Sequence, residues 1–199
     1  MQPWQPLLDW WFGPEASASQ TAAARQGLWF GKKDHQDAEA RERFGGLVEQ
    51  ALDGGLANWA ERPDGWLALV LLLDQLPRMI YRNDPRAFAG DARAQALVAD
   101  GLVRGQERGL APIRQIFIYL VLEHAEDLAS QERALYRYRL LLDAADAAER
   151  KLFEGFLDFS ERHRVVIARF GRFPHRNSVL GRASSDEESV FLREPGSRF

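Results

Sequence analysis

Three segments of the chain gather side chains able to do chemistry. The first is Asp74-Gln75-Leu76-Pro77-Arg78-Met79-Ile80-Tyr81-Arg82. If helix continues past Pro77, then Asp74, Arg78 and Tyr81/Arg82 recur at i, i+4 and i+7/i+8, on one face. That face would carry a carboxylate, two guanidiniums and a phenol. The second is Glu123-His124-Ala125-Glu126-Asp127 with Gln131 beyond it. A histidine beside carboxylates can act as a general base, a metal ligand or a pH-sensitive contact. The third runs from His163 through Arg169-Phe170-Gly171-Arg172-Phe173-Pro174-His175-Arg176-Asn177 to Leu180-Gly181-Arg182. Six arginines fall between Arg162 and Arg182, and the glycines and proline imply a tight turn between two helices.

Planar guanidiniums bind carboxylate or phosphate through paired hydrogen bonds. The chemistry these residues support is therefore capture of a small anion, with hydrolase or transferase steps as an extension. Arg78, Arg172 and Arg176 would hold the anion. His124 or His175 would be the acid or base, oriented by Glu126 or Asp127. Asp74, Tyr81, Arg82, Gln131, His163, Arg169 and Asn177 complete the binding set. Each segment has a structural alternative. Asp74 and Arg78 can close a helix end as an ion pair. Asp127 can cap the next helix, with His124 satisfying a backbone group. The third-segment arginines can pair internally with Asp74, Glu126 and Asp127.

Other chemistries are narrowed by what the sequence lacks. There is no cysteine, so disulfides, thiolate metal sites and a cysteine nucleophile are excluded. No Gly-x-Ser-x-Gly elbow, P-loop or His-Glu-x-x-His occurs. The residues three before His124, His163 and His175 are Val121, Ser160 and Arg172, so the Glu-x-x-His of di-iron bundles is missing. The arginines around the histidines would repel a cation, and neither metal nor cofactor is expected. A net charge of −3 gives no reason to expect a nucleic acid or an acidic membrane. The start of the chain lacks a signal-peptide layout. The longest apolar run, Trp66 to Leu73, is far short of the ~20 residues a bilayer needs. The expected location is cytoplasmic.

The elements that must position these segments are helices. Thr21 is the lone threonine and there are five isoleucines, whereas alanine, leucine, glutamate and arginine abound. That balance favours helix over strand. Pro6 opens a helix that Gly13-Pro14 stops at Phe12. Asp37 is the expected N-cap of a helix with its apolar stripe at Phe44, Leu47, Val48, Ala51 and Leu52, closed by Gly54-Gly55. A short helix carries Trp59. From Asp64 to about Arg82 the chain is apolar nearly all round at first, so it belongs at the centre, with a break or kink at Pro77. Helices follow over Ala92–Val103, Pro112–Glu123, Leu128–Leu142 and Glu149–Phe170. Ser185 and Glu188 form a capping box for a last short helix holding Val190, Phe191 and Leu192. The tryptophans lie between Trp4 and Trp66; Trp10, Trp11, Phe12, Trp29 and Phe30 read as an aromatic core. The whole is one multi-helix domain over residues 1–199. Residues 192–199 form a loosely ordered tail unless Phe199 docks.

The same three segments, together with Trp11-Phe12-Gly13, Trp29-Phe30 and the closing Glu188, Phe191, Leu192 and Phe199, resemble the bacterial family named domain of unknown function 924. The resemblance covers nearly the whole chain. The stretch from Gly171 to Arg182 is its most specific part. It implies an all-helical fold similar to tetratricopeptide-like right-handed superhelices of helix pairs, and it implies no particular reaction. Val121 stands where that pattern has proline, and Ala125 where it has serine, so a hydroxyl role at position 125 is out of reach. Two functions follow. One is a pocket for a small anionic ligand. The other is an interaction module that grips a peptide segment in a groove, with the arginines knitting the fold together.

Overall fold

The computed structural model describes residues 2–14 and 16–197. Phe199, whose docking would order the tail, lies outside the described residues. Among those described there are nine α-helices and no strand. They are α1 (Gln5–Phe12), α2 (Ala18–Trp29), α3 (Asp34–Leu52), α4 (Pro63–Ile80), α5 (Asp91–Val103), α6 (Pro112–Glu123), α7 (Leu128–Ala144), α8 (Arg150–Phe170) and α9 (Asp186–Phe191). Short 3-10 turns interrupt them, among them Pro85–Phe88 and Pro174–Arg176.

α4 is the centre. Trp66 through Leu73 are fully buried, because α4 touches α1, α3, α5 and α6. A helix apolar on every side is stable only when other elements cover every side. α6 lies against it, and α7 and α8 extend the stack outward. The aromatic residues of α1 and α2 meet α6: the Trp11, Phe12 and Trp29 rings all lie within 5.5 Å of Phe117, centroid to centroid. Trp29 Nε1 donates to the Trp11 carbonyl at 2.9 Å, which satisfies its polar end inside the core. A satellite cluster of Val166, Ile167 and Phe173 anchors the turn that follows α8.

One helix lies outside the sequence expectations, and three of those expectations are corrected. α2 was not anticipated, because its alanine-rich sequence shows almost no apolar stripe. Its signal is the box Ser17-x-x-Gln20, in which each side chain accepts the other's backbone N–H. Asp37 does not cap α3, which begins at Asp34; Asp37 sits in the first turn and pairs with Arg82 at 2.7 Å. Pro77 does not break α4, which runs on to Ile80. Tyr81 and Arg82 lie beyond the helix end and do not share its face.

Pro77 has no N–H for the Leu73 carbonyl, and Gly90 lies against that carbonyl. A Cβ on Gly90 would stand 2.1 Å from Leu73 O. Gly90 is the N-cap of α5, so this close approach sets where Asp91 begins. Gly90→Ala is expected to lower stability by about 1–3 kcal/mol, the range for forcing volume into packed structure. Urea unfolding measures it; an unchanged midpoint would show that α5 is free to move away from α4.

Candidate functional site: an arginine- and histidine-lined cavity

The end of α4, the end of α6 and the turn after α8 meet on one side of the molecule. α4 contributes Asp74, Gln75 and Arg78. Asp74 is buried, and His124 Nδ1 lies 2.8 and 3.0 Å from its two carboxylate oxygens. Gln75 donates to the same carboxylate, and Arg78 Nη1 lies 3.1 Å away. Burial alone would raise the Asp74 pKa. Arg78 and His124 overcome that and hold it well below the usual carboxylate range. The His124 pKa is lowered as well. Burial lowers its pKa and the Arg78 and Arg176 charges assist, against the pull of Asp74. At neutral pH the pair is a carboxylate beside a neutral imidazole.

The turn that carries His124 is locked by its neighbours. Gln131 Nε2 donates to the Glu123 and Ala125 carbonyls at 2.6 and 2.8 Å. Asp127 accepts from Ser130 N at 2.8 Å as the N-cap of α7. Both hold the backbone and neither lines the cavity. Glu126 does not orient His124 either; Asp74 does. Glu126 receives Arg182 through two bonds of 2.6 and 2.9 Å and the Phe173 N–H at 2.8 Å. Burial would raise its pKa, but Arg182 and the Phe173 amide lower it.

The Arg-rich turn divides in two. Arg169 pairs with Glu187 at 2.9 Å. Arg172 clamps the buried Glu188 carboxylate at 2.6 and 2.8 Å. Asn177 joins them, its amide 3.1 Å from Ser184 Oγ and 3.3 Å from Glu188. These three secure the turn to α9 and stand away from the cavity. His175 and Arg176, held between them on the Pro174–Arg176 turn, face it.

Arg176 is the least settled charge in the site. It is buried, and the carboxylate it reaches, Asp91 at 3.5 Å, is held by Arg78 at 2.9 Å. Its Nε has no hydrogen-bond partner among the described residues. Burial first and Arg78 second pull its pKa down to about 10. It therefore stays charged at neutral pH, in a place that penalises charge. The two guanidiniums stack near the same ring, 5.4 and 5.0 Å from the Phe88 centroid.

These groups line a cavity of about 990 Å³. Lys32, Arg82 with its partner Asp37, and Arg182 also line it, and His124, His163 and His175 are neutral groups there. Burial is the main cause that lowers both His163 and His175 to about 3. The remaining lining is largely apolar, with Trp11, Leu28, Trp29, Phe30, Leu152, Phe156 and Phe159 among it. The sequence reading placed Phe30 in the core, but it is 48% exposed and stands in this lining. Tyr81 faces a separate, shallower depression of about 530 Å³, where its hydroxyl donates to Glu49. Among the described residues, no three histidines or carboxylates are placed to hold a metal ion.

Sequence reasoning missed Glu123. It is buried on α6 with His163 Nδ1 3.2 Å from its Oε1, and the same nitrogen is 2.9 Å from the Phe159 carbonyl. Burial raises the Glu123 pKa to about 8, so acid and imidazole meet as neutral partners. The folded state keeps the Glu123 proton that the unfolded chain releases above about 4.5. Its stabilising contribution is full in acid and lost as pH rises through about 8. The two low-pKa histidines act oppositely, below about 6.5. Between pH 6.5 and 8 the Glu123 slope stands apart from them. Glu123→Gln is expected to abolish a fall of about 2 kcal/mol across that window. Denaturant midpoints of the two proteins at both pH values give the answer; parallel curves would place the Glu123 pKa in its ordinary range.

No described helix is long and apolar enough to cross a membrane. No curated protein matches the sequence at a significant level. The structure is similar to that of the protein of unknown function ATU0120 from Agrobacterium tumefaciens. The two are 32% identical with a TM-score of 0.74, over 88% of this chain and 96% of that one. The description "Bacterial protein of unknown function (DUF924)" matches residues 7–196, and the chain belongs to that family.

Proposed function

We propose that the cavity binds a small ligand through a carboxylate or phosphate group, with Arg176 and Arg78 as the anchoring pair. The observation that carries this reading is Arg176 itself. A buried cation with one long carboxylate contact and an unpartnered Nε costs stability unless something else compensates it. An anion in the cavity would do so, and the Phe88 ring lies against both guanidiniums.

The His124–Asp74 pair extends the reading towards hydrolase or transferase chemistry. Asp74 holds Nδ1–H, which leaves Nε2 as the basic nitrogen. A neutral imidazole oriented by a buried carboxylate can take a proton from an attacking water or hydroxyl, and the carboxylate stabilises the imidazolium that forms. The alternative is an interaction module in which the arginines are structural. It draws support from Arg169, Arg172 and Arg182, which are spent on internal acids.

A thermal-shift series with inorganic phosphate, acetate and larger phosphates and carboxylates decides between them. A ligand at ~100 times its Kd adds about 2.7 kcal/mol, or roughly 5–10 °C at this chain length. No shift from any anion would remove the ligand reading and favour the interaction module.

A further inference from the structure

The cavity lining holds two kinds of group, which ask for different things. Arg78, His124, His175 and Arg176 come from α4, the end of α6 and the turn after α8. Most of the large apolar side chains come from α1, α2 and the segment after it, and α8, which presents Leu152, Phe156 and Phe159. A bare phosphate or acetate would meet the first kind and leave the second against water. Phe30 and Phe159 are 48% and 40% exposed there, beside Trp29 and Phe156. The Phe30 ring lies 6.1 Å from Trp29 and 6.5 Å from Phe156, so the aromatic surface is continuous. Gly155 sits between Leu152 and Phe156 in this lining. A Cβ there would meet nothing within 4 Å, so neither packing nor backbone demands glycine in mid-helix.

We infer that the occupant is an anionic amphiphile: a carboxylate or phosphate monoester attached to an acyl or aryl body. The charged end sits at Arg176 and Arg78, and the body lies along Trp29, Phe30 and Phe156. This rests on the anion-binding reading and deepens it. A volume of about 990 Å³ is at the upper end of the range for small-molecule sites, far more than an inorganic anion fills. Arg78 lies 3.1 Å from Asp74, and that contact also sets polarity. The ligand enters with its head toward the His124–Asp74 pair, which places the bond next to the head, and not the hydrocarbon, beside the imidazole.

The test is a titration of the full chain, read by the fluorescence of the cavity tryptophans Trp11 and Trp29 and by calorimetry. The probes are inorganic phosphate, butyl phosphate, octyl phosphate, octanoate and octan-1-ol, each below its micelle concentration. Four further buried methylenes should tighten octyl over butyl phosphate on the order of 100-fold. Octan-1-ol should bind at least about tenfold more weakly than octyl phosphate, for want of charge-assisted hydrogen bonds. Phe30→Ser, at a half-exposed position, should weaken octyl phosphate and leave inorganic phosphate unchanged. Comparing octanoate with octyl phosphate identifies the preferred head. If inorganic, butyl and octyl phosphate bind alike, the anion site stands and the amphiphile is overturned. If octan-1-ol matches octyl phosphate, the anion reading fails with it, and binding by none of the probes overturns both.

Discussion

Asp74→Asn is expected to lower stability by about 3 kcal/mol, or ~6–12 °C in Tm for a chain of this length. Asparagine keeps the volume and loses the charge. In the native protein one buried carboxylate serves Arg78, His124 and Gln75 at once. Without it, Arg78 and Arg176 share Asp91 alone, and each stays charged in a buried place. Breaking one member of such a group leaves uncompensated charge, which costs more than the intact pair contributes. The pH dependence identifies the cause. The Asp74 pKa is held below its ordinary 3.8, so its contribution is present above that pH and is lost as pH falls through the folded value. Acid unfolding of Asp74→Asn should therefore be shallower than that of the native protein. Thermal melts from pH 7 downward measure both. A variant that melts with the native protein would mean that Asp74 is neutral in the fold.

Arg176→Met is expected to do the reverse to stability and more to binding. Methionine fills a similar volume with no charge, and Asp91 retains Arg78. Replacing a poorly compensated buried ion with an apolar side chain is neutral or stabilising, by up to about 4 kcal/mol. Loss of a buried anchoring charge should cost about 2–5 kcal/mol of anion binding. Arg172→Met should behave oppositely. It strands the buried Glu188 carboxylate, which Arg172 holds with two bonds, so stability falls while both anchoring arginines remain. The pair of variants separates an anchor from a structural clamp. If both simply destabilise, the arginines are one internal network and the interaction module is the better reading.

Much of the fold was legible because helices are written locally. Pro112 and Glu123 bound α6, Gly171 ends α8 in the left-handed region at φ 67°, and the Ser185–Glu188 box opens α9. Each signal depends on residues within one turn of the chain, and the apolar run from Trp66 required a central helix. α2 escaped because its apolar stripe is faint, although its capping box was in plain view. Pro77 escaped for a tertiary reason. The carbonyl it leaves unbonded meets Gly90, and the helices that cover α4 let it run on to Ile80.

The site was half legible in the same way. The sequence determined which side chains were available: arginines, histidines and carboxylates in three dense segments of a helical chain without cysteine. Which acid meets which base is a matter of distances between residues some 50 positions apart, and sequence spacing carries no information about those. Proximity in the chain suggested Glu126 or Asp127 for His124, yet packing of α4 on α6 delivered Asp74. It also spent Arg172 on Glu188 and Arg182 on Glu126, and left Arg176 facing a cavity. Only the tertiary structure decided this, because a charged side chain's role is set by the nearest opposite charge and by how much water reaches it, and both are properties of the packed chain.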